Sequence, residues 1–189
     1  MPYPVINTRA VILHTHPTGE ANRVLTLLTE QHGTLQVFAR SVRKETSRMR
    51  SAAVPYALVS SSIILSRQHI LKDLRVIDPL QDIWNREPVY TSYVALLRFV
   101  HTTVPAVGHH DPVIFSLVLD AIRSYTTRPP CQTDAILLTT QVFILHRLGY
   151  VHNPDLDSMS LSTVISDTTT SAKQQRLFKK QIKEGMTWQ

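Results

Sequence analysis

Five cationic side chains, Arg40, Arg43, Lys44, Arg48 and Arg50, stand within eleven residues and face one carboxylate, Glu45. Fixed cations at this density suit phosphate, because a guanidinium is a planar fork that matches two phosphate oxygens. If all five touched a single strand, log affinity would fall against log salt with a slope of roughly 3.5, or about a hundredfold between 50 and 200 mM. A basic run taken alone fits a solvated loop equally well. Phe38 adds an aromatic to the same face: in an extended stretch, Leu35, Val37 and Ala39 point one way and Gln36, Phe38 and Arg40 the other. An aromatic beside arginines can stack on a base, although packing against a helical neighbour is the commoner role for such a residue.

The other chemistry-bearing residues assemble into nothing comparable. His14 and His16 share a strand face and His109 and His110 are adjacent, but a zinc site needs about four ligands at recognisable spacing and nothing completes either pair. No metal is expected. Cys131, the single cysteine, follows Pro129-Pro130 with no histidine nearby to activate it, so it is neither a disulfide partner nor a marked nucleophile. With no P-loop, dinucleotide glycine pattern, nucleophile elbow or close carboxylate pair, we expect no catalytic residue, no cofactor and no enzyme activity.

Two patterns of hydrophobicity meet near Pro79. Before it lie short β-rich stretches, Ala10–Leu13, Val24–Thr29, Leu35–Ala39, Tyr56–Leu65 and Ile70–Ile77, with turns at Pro17-Thr18-Gly19 and Gln31-His32-Gly33-Thr34. Five strands at this spacing predict a small barrel rather than an open sheet with helical crossovers. After Pro79 the period becomes helical. Asp78-Pro79 is read as an N-cap and first helical residue ahead of Leu80, Ile83 and Trp84, and a stripe runs from Tyr90 to Val104. Asp111-Pro112 opens a helix whose Ile114, Leu117, Val118, Ala121, Ile122 and Tyr125 repeat at three and four. Another helix runs from Thr133 to Leu148 and ends at Gly149. Hydroxyl residues crowd 153–171, which predicts a mobile loop. A final helix from Ala172 to Glu184 is expected to turn Leu177, Phe178 and Ile182 inward and Lys179, Lys180 and Lys183 outward, with Gly185 stopping it. The division is therefore a β-barrel domain over 1–79 and an α-helical domain over 80–189.

Charge follows that division. Twenty Lys plus Arg against fourteen Asp plus Glu give a net charge of +6. Residues 1–80 hold ten basic and five acidic side chains, whereas 81–150 hold five of each. The excess therefore sits on the predicted barrel, as expected for a polyanion partner. No segment approaches the apolar length of a membrane span and no leader pattern opens the chain, so no membrane association and a cytoplasmic location are expected.

Several ordered segments carry a resemblance. Thr8-Arg9-Ala10-Val11-Ile12-Leu13, Gly19-Glu20, Val24 through Gly33, Phe38-Ala39-Arg40-Ser41-Val42-Arg43-Lys44 and Pro55-Tyr56 resemble the N-terminal half of RecO, the bacterial recombination mediator family. Phe143-Ile144-Leu145-His146-Arg147-Leu148-Gly149-Tyr150 is similar to the family's helix ending in Leu-Gly-Tyr. The resemblance implies an α+β multidomain chain, a five-stranded OB-fold barrel followed by an α-helical bundle. It also implies binding of single- and double-stranded DNA, strand annealing, and RecA loading together with RecR and the single-stranded-DNA-binding protein, in a nucleoid-associated bacterial setting. By position, Arg40, Arg43, Lys44 and Arg50 match basic positions of the family, and Arg48 joins them on charge alone. Ser41 stands where the family has Gly, and the four zinc cysteines of many members are absent from 153–171. The alternatives are a small OB-fold RNA-binding protein and a protein-interaction scaffold whose basic loop is only solvated.

Overall fold

The computed structural model describes residues 3–105, 111–152, 154, 156, 159, 161, 163–165 and 172–186. They fall into two compact units, Met1–Leu80 with His101–Phe115, and Gln81–Val100 with Ser116–Gln189.

The first unit is a closed five-stranded barrel. Its strands are β1 (Val5–Thr18), β2 (Asn22–Thr29), β3 (Gly33–Ala39), β4 (Leu58–Ile64) and β5 (His69–Asp78), hydrogen-bonded in the order β1-β2-β3-β5-β4 and back to β1. The pairs are antiparallel except β3 with β5, which is parallel. Period-two alternation places Ala10, Ile12, Leu25, Leu27, Val37, Ala39, Val59 and Ile63 in one buried cluster, and on β5 a register shift that skips Lys72 brings both Leu71 and Leu74 into it. Each Val, Leu or Ile so buried contributes about 1.5–3 kcal/mol relative to exposure. The β2–β3 hairpin is fixed by Thr29, whose hydroxyl accepts from the His32 N–H at 3.0 Å and donates to the Gly33 carbonyl at 2.7 Å. Gly33 takes φ +64° there, a region open to glycine at little cost.

The second unit is helical. Its segments come from α1 (Gln81–Trp84), α2 (Glu87–Thr103), α3 (Pro112–Thr127), a 3₁₀ turn at Pro130–Gln132, α4 (Thr133–Arg147) and α5 (Ala172–Met186). α4 is buried on most of its circumference through Ala135, Ile136, Thr139, Val142, Phe143, Ile144 and Leu145, and α5 packs on it. The end of α4 is a Schellman motif: the Gly149 N–H donates to His146 O, the Tyr150 N–H donates to Leu145 O, and Gly149 has φ +81°.

Three local expectations are corrected. The Asp78 carboxylate accepts from the Leu80 N–H at 2.8 Å and Leu80 turns left-handed at φ +51°, so the helix starts at Gln81 rather than Pro79. A short acidic side chain offers the backbone this alternative to a helical turn. Within 153–171, Leu161 and Thr163–Ile165 are helical, and Leu156, Leu161, Val164 and Ile165 are buried, so apolar positions spaced among the hydroxyls anchor the segment expected to be a loop. In α5, Phe178 is buried but Leu177 is 49% exposed, because neighbours on a helix point about 100° apart; Gly185 lies inside the helix instead of stopping it.

Candidate nucleic-acid interface

The connection between β3 and β4, residues 40–57, carries the basic run and is ordered by its own hydrogen bonds. Successive i→i+3 turns run from Ser41 O to Lys44 N, Lys44 O to Ser47 N, Ser47 O to Arg50 N and Met49 O to Ala52 N, at 3.0–3.2 Å. Small apolar side chains let this connection settle onto the barrel: Val42, Ala52, Ala53 and Ala57 join the buried cluster. Two further ties hold its ends. Arg43 N donates to Ala21 O at 2.9 Å, and its guanidinium donates to Gly19 O at 3.2 Å, joining the basic segment to the β1–β2 turn. The Arg23 guanidinium donates to Ala53 O.

Ser41 is the point where the chain turns out of β3. It adopts φ +52°, and its N–H is held by Asn22 Oδ1 at 2.8 Å. A left-handed turn that favours glycine is thus made here by Ser, with a side-chain cap from β2 compensating for the steric cost.

Arg40, Arg43, Lys44, Arg48 and Arg50 all lie on this connection, and all five are exposed. Among the described residues none of them pairs with a carboxylate. Three other arginines of the first unit are engaged, Arg23 among them. Arg9 Nε donates to Glu30 Oε2 at 2.9 Å, which holds the Glu30 carboxyl below its usual range, and Arg75 pairs with Asp73 at 2.9 Å. The 40–50 segment therefore carries the densest exposed positive charge of the barrel, with Arg67 and Lys72 exposed elsewhere on it.

The barrel also carries a cleft of about 390 Å³ whose apolar lining residues are Val24, Leu35 and Phe38. Its polar lining residues are Thr34, Gln36, Arg67, Gln68 and His69. The cleft follows from register. β3 pairs with β5 only at Val37↔His69 and Phe38↔Ile70, so on the edge away from β2 the first half of β3 meets the β4–β5 connection, whose Arg67 and Gln68 line the cleft with it. Phe38, opposite Val24 on β2, is half-buried there. Sequence reasoning missed Arg67, Gln68, His69 and Thr34; the available signal was a lone arginine between the last two strands of a barrel.

Of the histidines singled out in the sequence, His14 stacks on His101 with ring centroids 5.2 Å apart, His16 is exposed, and His109 and His110 lie outside the described residues. Among the described residues no three His, Cys, Asp or Glu side chains converge. Cys131 is exposed.

Closed five-stranded topology with one parallel β3–β5 pair, an ordered basic connection after β3 and a cleft on the β2–β3 side define an OB-fold barrel. Residues 1–82 match the family profile described as "Recombination protein O N terminal". Over 158 residues the chain is 28% identical to the DNA repair protein RecO of Bacillus pumilus, covering 81% of this chain and 58% of that protein. Against the DNA repair protein RecO of Heliobacterium modesticaldum it is 32% identical over 153 residues, or 75% of this chain and 50% of the relative. A third, from Thermodesulfovibrio yellowstonii, is 29% identical over 147 residues, covering 77% and 58%. The chain is therefore similar to the RecO family, through its N-terminal profile and through these relatives, and it spans between half and two-thirds of the relatives' length.

Proposed function

We propose that this chain is a non-enzymatic DNA-binding mediator of recombinational repair that grips phosphates with Arg40, Arg43, Lys44, Arg48 and Arg50. The observation that carries the reading is the ordered 40–50 connection, whose five cations are exposed and have no carboxylate partner among the described residues. Cations held in this way release condensed counterions from DNA and steer it onto the surface. Neutralising phosphates also lets two complementary strands approach, which is the physical basis of annealing. Phosphate contacts position nucleic acid without reading sequence, so binding is expected to be sequence-tolerant and to include single and double strands. The likeness to the RecO family extends the proposal to cooperation with RecR and the single-stranded-DNA-binding protein in loading RecA, in the cytoplasm beside the nucleoid. Among the described residues no helix is long and apolar enough to cross a membrane.

The test is binding of the full chain to a labelled single strand across a salt series, beside a variant with all five cations replaced by Gln. Wild type should show a log–log slope near 3.5, about a hundredfold loss between 50 and 200 mM, and the variant a nearly flat line. A flat wild-type response, or unchanged binding and annealing by the variant, refutes phosphate recognition by this segment. A strong preference for RNA over DNA of equal length would transfer the interface to an RNA partner.

A further inference from the structure

We propose that the cleft beside Phe38 takes one unstacked base of a single strand, a contact separate from the phosphate contacts of the 40–50 segment. The inference rests on the nucleic-acid reading above and names what that surface selects. The space exists because β3 and β5 share only two paired positions, leaving Thr34–Gln36 bordered by the β4–β5 connection. Its volume, about 390 Å³, is in the range of small-ligand sites.

The chemistry of the walls specifies the occupant. Phe38 and its cross-strand neighbour Val24 supply an apolar surface on which any base can lie. Opposite that need for a flat apolar group stands a need for hydrogen bonds. Thr34 is 5% exposed, and its Oγ1 has no hydrogen-bond partner among the described residues; the same holds for the buried His69 Nδ1. Both residues line the cleft. Buried polar atoms are ordinarily satisfied, so two orphans in one cleft mark where ligand donors and acceptors belong. The edge of a nucleobase carries both kinds of group on a planar ring. Arg67, also in the lining, adds a cation for the adjoining phosphate, and Gln36 and Gln68 bring amides that donate and accept. An aliphatic ligand would leave Thr34 and His69 unsatisfied, and a free inorganic anion would leave Phe38 and Val24 unused. A base in a duplex has its edge paired and its faces stacked, so the cleft favours single strands.

The experiment uses the full chain and fluorescence anisotropy at fixed salt, with labelled fifteen-nucleotide oligothymidine and an abasic oligomer of equal length and charge as probes. Wild type should bind oligothymidine about 5- to 150-fold more tightly than the abasic strand. Phe38→Ala should abolish that preference while leaving abasic affinity unchanged, and Thr34→Val, which keeps shape and removes the hydroxyl, should reduce it about fivefold. Phe38→Leu replaces Phe38→Ala if circular dichroism shows a folding defect. Equal wild-type affinity for the two probes, or a preference untouched by all three substitutions, overturns the base pocket while leaving the phosphate reading intact. The five-residue Gln variant separates the two: if it binds the abasic strand as wild type does, the phosphate reading is the one that fails.

Discussion

Replacing Ser41 with Gly should stabilise the barrel, although it deletes a side chain. Ser41 sits at φ +52°, where a Cβ crowds the following carbonyl and costs a non-glycine residue roughly 1–2 kcal/mol. Glycine removes that cost but gives the unfolded chain more freedom, which takes back about 0.4–1 kcal/mol. The expected net gain is about 0.5–1 kcal/mol. The companion substitution, Asn22→Ala, removes the Oδ1 acceptor that holds the Ser41 N–H at 2.8 Å, and should cost about 1 kcal/mol. In the Ser41→Gly background that cost should shrink, because glycine occupies the left-handed region without a cap and neighbouring sites do not act independently. Urea unfolding followed by far-ultraviolet circular dichroism measures all four proteins, with midpoints compared at constant slope. Because Ser41 carries no charge, DNA affinity should stay within about twofold. A Ser41→Gly protein less stable than wild type by about 0.5 kcal/mol or more would show that the turn out of β3 is not a site of backbone cost, and would refute the reasoning.

Two further outcomes concern groups away from the interface. The Tyr125 hydroxyl is buried, has no hydrogen-bond partner among the described residues, and burial pushes its phenol pKa upward, so Tyr125→Phe should be neutral or stabilising by up to about 1 kcal/mol. Tyr125→Ala, which also deletes the ring packed edge-on against Tyr93 at 6.2 Å, should cost about 3–5 kcal/mol in the same denaturation assay. His101 is held below its ordinary value of 6.5 by burial and then by the neighbouring His14. The native state therefore binds fewer protons than the unfolded chain near that pH, and this stability is complete above about 6.5 and lost as pH falls through the folded value. Melting midpoints at pH 7.5 and 5.5 should fall less for His101→Gln than for wild type; equal falls would remove His101 from the account.

The barrel was legible because its interior positions alternate. Leu25 and Leu27, then Val37 and Ala39, declare a buried face in the sequence itself, and turn residues such as Gly33 mark where pairs of strands meet. Strand length was less legible: β1 extends through the polar Asn7, Thr8 and Thr15, which pair by backbone and need no apolar side chain. The basic run was plain from composition, and its exposure followed. What holds it was not, since the Asn22 cap and the Arg43 bond to Gly19 join residues about twenty positions apart. The cleft was invisible for a stronger reason: it is the product of the β3–β5 offset, a long-range register with no local signature. Leu156, Leu161, Val164 and Ile165 were hidden by the hydroxyl residues around them.

The seam between β1 and β4 joins Val5 to Ile64 and Val11 to Leu58. Everything between, including the cation-bearing connection, lies inside that closed span. Bringing such distant ends together spends chain entropy before any pairing rewards it, which slows folding and makes closure abrupt. Val42, Ala52, Ala53 and Ala57 reach their burial only in the closed barrel, so the five cations acquire their fixed arrangement in the same step. A nascent or partly unfolded chain thus carries the charge without the arrangement, and a nucleic acid able to tell the two apart is in effect a reporter of completed folding.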